Sequence, residues 1–191
     1  MYPQSRVLII AGSDSSGGAG IQADIKTVTL LGSYAMTAVT AVTAQNTMGV
    51  KKITPIPKKN VQKQIMMILD DIGADAVKIG MLYNVSIIKG VHHILKKYNL
   101  KNIVIDPVMV AKGGARLINN NSIAYLKKLL LPLAKLITPN IPEAEVLSGC
   151  SISNKEDMIQ AAKKILNMGS KNVLLKGGHL KSKMICDILA T

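Results

Sequence analysis

Phenylalanine and tryptophan are absent from the sequence, and aromatic residues make up only 3% of it. A chain that is nonetheless 48% hydrophobic must build its core from aliphatic side chains and from its 10 Met. Its 191 residues suit one domain with a substantial core. The scarcity of aromatics also argues against single-stranded nucleic acid as a ligand, because such sites stack bases on aromatic side chains. Only two Cys occur, Cys150 and Cys186, which fit neither a disulfide framework nor a zinc site. A reducing cytoplasm is therefore the expected compartment. No apolar run approaches the length of a membrane span. The N-terminus lacks the charged-then-apolar block of a signal peptide, so none is expected. Acids are also sparse: 11 Asp and Glu stand against 24 Lys and Arg, for a net charge of +13. Of those basic residues 22 are Lys, spread mostly as pairs on predicted helices. This pattern reads as a solvated lysine surface that steers anionic substrates, with no nucleic-acid or membrane partner expected.

The chain is organised around V-L-I-I-A-G-S-D-S-S-G-G-A-G-I-Q-A-D, residues 7–24. An apolar run over residues 7–11 predicts a short buried strand. A turn of Gly, Ser and Asp then leads into a helix marked by Ile21, Ile25 and Val28. Glycine lets a ligand lie against bare backbone, and a helix start offers free N–H groups with partial positive charge. The turn is thus a cradle for a polar or anionic small molecule, or else a tight connection with no ligand. It is not a Walker A loop, since Gly18 stands where that motif needs lysine. Gly18, Gly20 and Ala23 fit a dinucleotide fingerprint loosely, but no Asp or Glu occurs between Asp24 and Asp70 to hold a ribose.

Further predicted strands cover residues 34–44, 53–56 (a short edge piece bounded by prolines), 76–79, 102–105, 136–137 and 173–175. Predicted helices cover residues 58–72, 85–98, 122–131 (stopping at Pro132), 141–148 and 155–168. The alternation predicts a three-layer α/β domain, with a mostly parallel central sheet and helices on both faces. Polar residues gather where predicted strands end: residues 12–14, Gln45 and Asn46, Gly80, Asp106, residues 138–140 and residues 176–179. In an open parallel sheet these ends share one edge, and ligands bind along it.

Several residues at this edge have chemistry to offer, each with a plainer alternative. The Gln45 amide can match a ring that carries an amine beside a bare nitrogen, or can bond to backbone. Asp24 can accept from a substrate hydroxyl, or can be an acid favoured by the helix start. Asp106 can support Mg²⁺ or a reacting hydroxyl, or can form an Asp-Pro turn. Asn140 and Glu143, in T-P-N-I-P-E, can supply the sparse protein ligands of magnesium, or can be a capping pair. Lys176, leaving an apolar V-L-L strand, can neutralise phosphate oxygens. His179 is a lone polar residue.

Taken together, A-G-S-D-S-S-G-G-A-G-I-Q-A-D, A-Q-N-T, K-I-G-M-L, D-P-V-M, I-T-P-N-x-P-E-A and K-G-G-H closely resemble the hydroxymethylpyrimidine/phosphomethylpyrimidine kinases of thiamine biosynthesis, in the ribokinase-like group. The likeness runs over nearly the whole chain. It implies a ribokinase-like sheet, ATP and Mg²⁺, and two successive phosphorylations of an aminopyrimidine bearing a hydroxymethyl arm. By the resemblance Gln45 reads the pyrimidine edge, and Gly12, Ala19, Asp24, Met81 and Val108 line its pocket. Asn140 and Lys176 serve the nucleotide phosphates and Glu143 serves the metal, while the catalytic residue stays unassigned, with Asp106 a candidate for support on its own chemistry alone. The family also carries a G-T-G-[CD]-like segment at a helix start, whose N–H groups hold the transferring phosphoryl group. The sequence holds no such segment and reads to C-D-I-L-A-T, so it is expected to miss the C-terminal helices, to expose apolar surface and to phosphorylate poorly alone. Cys186 is not given that segment's role. A homodimer or a complementing C-terminal fragment is the expected protein partner. The alternatives are a non-catalytic pyrimidine-binding remnant, half of a split enzyme, and a pyridoxal kinase of the same group. The A-Q-N-T glutamine favours the aminopyrimidine over pyridoxal.

Overall fold

The computed structural model describes residues 3–109, 118–180 and 184–191. Eight strands form one sheet in the order β3-β2-β1-β4-β5-β6-β7-β8. They are β1 (Arg6–Asp14), β2 (Tyr34–Asn46), β3 (Gly49–Pro55), β4 (Ala76–Ile79), β5 (Ile103–Ile105), β6 (Leu136–Ile137), β7 (Val173–Leu175) and β8 (Ile188–Ala190). Every pairing from β2 across to β7 is parallel. The two edge strands, β3 and β8, run antiparallel to their neighbours. The mostly parallel sheet expected from the sequence is present.

Strand alternation sorts the apolar residues onto two faces. Leu8 and Ile10 of β1, Val77 and Ile79 of β4, and Ile103 and Ile105 of β5 point into the main core. Five helices close over that side: α2 (Lys58–Asp71), α3 (Val85–Lys97), α4 (Asn120–Tyr125), α5 (Ile141–Ser148) and α6 (Lys155–Leu166). On the other side α1 (Gly20–Leu30) packs Ile21 and Val28 against Val7, Ile9, Ala11, Ala35 and Val39. Helices therefore lie on both faces. The α1 face is less covered beyond β4, where Val104, Leu136 and Leu174 are half-buried and Leu189 is 63% exposed. No helix among the described residues is long and apolar enough to cross a membrane.

Three local readings of the sequence need correction. β1 extends past the apolar run to Asp14, because an extra residue in β2 opposite Gly12 shifts the register and lets Ser13 and Asp14 pair with Val42 and Thr43. β8 has no apolar alternation to announce it; it pairs with β7 on its far side. Pro132 does not stop the helix before it. α4 continues as a π-turn over Leu126–Leu130 and a 3-10 turn over Leu131–Leu133, where Pro132 lies in the first turn and owes no intrahelical N–H bond.

Two contacts fix how β1 enters and leaves the sheet. At its start Arg6 grips Asp75, just before β4, through Nε (3.0 Å) and Nη2 (2.7 Å), while the Arg6 N–H donates to the same carboxylate at 2.7 Å. At its end Gly20 opens α1 with φ of 58°, and a Cβ there would fall 2.4 Å from the Gly12 carbonyl oxygen. Only glycine satisfies both limits.

These contacts give two expectations. Gly20→Ala should cost about 1–3 kcal/mol from backbone strain alone and lower Tm by several degrees; an unchanged thermal midpoint would contradict the close approach. The hydrogen bonds from Arg6 hold the Asp75 carboxyl down to about 2, from the ordinary 3.8. A depressed folded-state value means that its contribution is complete above the ordinary value and is lost as acid protonates the folded carboxyl. The Tm gap between wild type and Asp75→Asn should therefore be full near neutrality and close between pH 3.8 and pH 2. A gap independent of pH across that window would refute the ion-pair origin.

Candidate active site

The carboxyl ends of β1, β2, β4, β5, β6 and β7 border one cleft of about 420 Å³, a size suited to a small-molecule ligand. At one end lie Gly12, Ala19, Asp24 and Gln45. Met81 and Val108 are in the middle, and Asp106, Asn140, Glu143 and Lys176 are at the other end. All ten residues singled out from the sequence therefore line the same cleft. His179 does not line it and is exposed, and neither Cys150 nor Cys186 borders it.

Register shifts shape the Gln45 end of the cleft. The register of β2 against β3 shifts between Ala44 and Gln45, and that of β1 against β2 shifts around Gly12. Opposite Gly12, β2 carries one extra residue, which breaks its alternation at Thr40 and Ala41 and leaves Thr43 and Gln45 on the cleft side. The Gln45 backbone is tied to the glycine-rich turn, its N–H donating to Ser15 Oγ at 2.9 Å and its carbonyl lying 2.7 Å from the same hydroxyl. Among the described residues its side-chain Oε1 meets Thr43 Oγ1 alone, at a long 3.4 Å, so the amide remains available to a ligand. Thr40 Oγ1 donates to the Met81 carbonyl at 2.6 Å, which fixes the turn after β4. A Cβ on Gly12 would meet Met81 Cε at 2.4 Å, so the absent side chain gives Met81 its place.

The glycine-rich turn departs from its reading as an anion cradle. The Asp14 carboxylate accepts from the N–H groups of Ser16 (2.8 Å), Gly18 (3.1 Å) and Ala19 (2.8 Å), and from the Ser16 hydroxyl. Burial opposes its charge, yet these donors outweigh burial and hold its pKa below the usual carboxylate range. The turn thus carries its own anion, and the N–H groups of Gly18 and Ala19 are already engaged. The loop instead presents a rigid wall. Ala19 and Gly20 line the cleft through backbone and small side chains.

Among the described residues two lysines enter the cleft, each held by an aspartate. Lys176 Nζ lies 3.2 Å from Asp106 Oδ1, which Thr138 Oγ1 also approaches at 3.3 Å. Lys78 Nζ lies 2.7 Å from Asp24 Oδ2. Lys78 was not singled out among the 22 lysines. The signal that could have found it is a lone lysine at an alternate position of the short strand A-V-K-I, whose other side chains fit a buried strand.

The capping reading of Asn140 and Glu143 is correct. Asn140 Oδ1 accepts from the Glu143 N–H at 3.0 Å, and Glu143 Oε2 accepts from the Asn140 N–H at 2.9 Å, which starts α5. Burial pushes the Glu143 carboxyl up, and the neighbouring Asp106 charge adds to this; the N–H groups of Asn140 and Met109 and the Lys176 ammonium oppose it. The cap leaves the NH₂ of Asn140 for a ligand. No group of three or more His, Cys, Asp or Glu forms a metal cage among the described residues. Asp106 and Glu143 do match the one or two carboxylates with which proteins hold magnesium when phosphates and water complete its shell.

A turn on the far side supports Lys176. Gly177 N–H donates to Asp187 at 2.8 Å, and a Cβ on Gly177 would fall 2.0 Å from the Cys186 carbonyl oxygen. The first glycine of K-G-G-H is there to let the chain leading into β8 pass.

The family model described as phosphomethylpyrimidine kinase matches residues 14–191. A thiamine biosynthesis bifunctional protein, ThiED, of Geobacter sulfurreducens is 52% identical over 188 residues, which is 98% of this chain and 38% of that protein. The hydroxymethylpyrimidine/phosphomethylpyrimidine kinase of Bacillus subtilis is 49% identical over 185 residues, 96% of this chain and 68% of its own length. The crystal structure of a phosphomethylpyrimidine kinase from Clostridium difficile 630 superposes with a TM-score of 0.91 at 50% identity, covering 98% of this chain and 80% of that one. This chain therefore spans about two thirds of the length of the Bacillus enzyme and less than half of the bifunctional protein. With the sheet order, the cleft and these matches in agreement, the chain belongs to the phosphomethylpyrimidine kinase family.

Proposed function

We propose that the cleft binds 4-amino-5-hydroxymethyl-2-methylpyrimidine and its monophosphate beside Mg-ATP, and positions each for transfer of the γ-phosphoryl group. The observation that carries this reading is the order of groups along one cleft: a free glutamine amide at the β2 end, paired carboxylates and lysines between, and Lys176 at the β7 end. Gln45 matches the amine and adjacent ring nitrogen of an aminopyrimidine. Gly12, Ala19, Met81 and Val108 form the walls, and Asp24 accepts from the hydroxymethyl arm. Lys176 and the Asn140 amide hold nucleotide phosphates, while Asp106 keeps the Lys176 ammonium directed toward them. Asp106 and Glu143 are the carboxylates that would share Mg²⁺ with those phosphates; the ion neutralises phosphate charge when bound. The chain's own contribution is alignment and charge stabilisation, which dominate phosphoryl transfer. The relatives carry residues beyond the matched span. The half-covered stripe of Val104, Leu136, Leu174 and Leu189 is where a complementing segment, covalently continuous or supplied separately, packs.

Calorimetric titration tests both ends. Gln45→Ala should weaken hydroxymethylpyrimidine binding about 5- to 150-fold, the equivalent of the roughly 1–3 kcal/mol of a two-point match. Pyridoxal should compete poorly with the aminopyrimidine for the wild-type chain. Lys176→Met should weaken Mg-ATP by about tenfold or more, as for loss of a charged hydrogen bond, while pyrimidine affinity stays within about twofold. Equal affinity of wild type and Gln45→Ala for the pyrimidine, or a preference for pyridoxal, would refute the substrate assignment.

A further inference from the structure

Lys78 is given no substrate contact in the proposed function, yet its side chain is built into the cleft. It leaves β4 on the α1 face and runs toward the carboxyl end of the strand. Its Nζ lies 3.1 Å from the point where a Cβ on Gly80 would stand. The bare Gly80 backbone is what gives the ammonium its room. Asp24 of α1 holds the ammonium at 2.7 Å through Oδ2, and the two side chains retain 26% and 21% of their exposure. The pair is sheltered but still reached from the cleft that both residues line.

The strand order fixes where this ammonium stands. β4 is two strands from β2, which carries Gln45, and three from β7, which carries Lys176. At about 4.8 Å per strand, Lys78 stands between the ring-reading end and the phosphate end. That is where the reacting arm of a pyrimidine held at Gln45 must lie.

The geometry points to Lys78 as the residue that recognises the charge on that arm, giving the cleft its affinity for the phosphomethyl substrate, with Asp24 as the internal anion it releases. This rests on the pyrimidine reading of the cleft. A neutral hydroxymethyl arm leaves the Lys78–Asp24 pair closed and bonds to the second carboxylate oxygen. An anionic phosphomethyl arm competes with Asp24 for the ammonium, and charge-assisted bonds to phosphate oxygens replace the ion pair. One site thus accepts two successive substrates that differ by a phosphate.

The test is calorimetric titration of the 191-residue chain with hydroxymethylpyrimidine and, separately, with phosphomethylpyrimidine, using wild type, Lys78→Gln, Asp24→Asn and Gln45→Ala. Lys78→Gln should weaken the monophosphate by about tenfold or more, the loss of a charged hydrogen bond, and shift the neutral compound by less than about threefold. Asp24→Asn removes the competing anion, so the monophosphate should bind more tightly than to wild type. Thermal melts establish that each variant is folded, and the opposite sign expected of Asp24→Asn cannot arise from unfolding. Equal losses for both compounds in Lys78→Gln would show a structural role only and overturn the assignment. So would no loss for either, or weaker monophosphate binding by folded Asp24→Asn. Retention of both compounds by Gln45→Ala, or binding of neither by wild type, would overturn the pyrimidine reading and this inference with it. Loss of both in Gln45→Ala without discrimination in Lys78→Gln would overturn this inference alone.

Discussion

Six parallel strands end on one edge of the sheet, and no strand beyond that edge can take up the polar groups that follow them. This constraint places a glutamine, four acids and two lysines in a single cleft, although they come from segments spread over more than a hundred and fifty residues of sequence. Helices α2 to α6 bury the opposite ends of the connections in one aliphatic core. That core holds the strands in register without any Phe or Trp. The loops at the carboxyl edge need only small adjustments to converge, and the register shifts opposite Gly12 and beside Gln45 supply two of them.

The charges in the cleft follow a second rule. Asp14 is an anion used entirely for structure, with its carboxylate saturated by the turn it organises. Asp24 and Asp106 each hold a lysine in place. Glu143 closes the start of α5. The apparent excess of acid in a site proposed for phosphates is therefore largely committed. Both ammonium groups stand on stems fixed by an internal carboxylate, which lowers the ordering cost of engaging a phosphate relative to a freely moving lysine. The overall positive charge of the chain adds a long-range attraction for anions.

Much of this was legible in the sequence, for reasons that differ by residue. Short apolar runs leading into Gly80, T-P-N and K-G-G-H marked β4, β6 and β7 to the residue, and the Asn and Pro of T-P-N-I-P-E marked α5. Gln45, Asp106, Asn140 and Lys176 stood out because each follows an apolar strand. The sequence could not show that the N–H groups of the glycine-rich turn are spent on Asp14, since an acid two residues after a glycine looks the same whether it binds inward or faces a ligand. β8 escaped because no Gly, Asn or Pro signal borders its three residues. Lys78 escaped because a lysine on a strand looks like surface until its neighbour Gly80 is seen to make room for it. Pro132 misled because a proline that ends one helical turn can begin the next.

The central claim is that one cleft holds two ligands side by side, a pyrimidine at the β2 end and a nucleotide at the β7 end. The most direct measurement is a titration of hydroxymethylpyrimidine into the chain already saturated with Mg-ADP. Joint occupancy predicts that the pyrimidine still binds, one per chain, with its affinity little changed. Displacement of one ligand by the other would contradict the account.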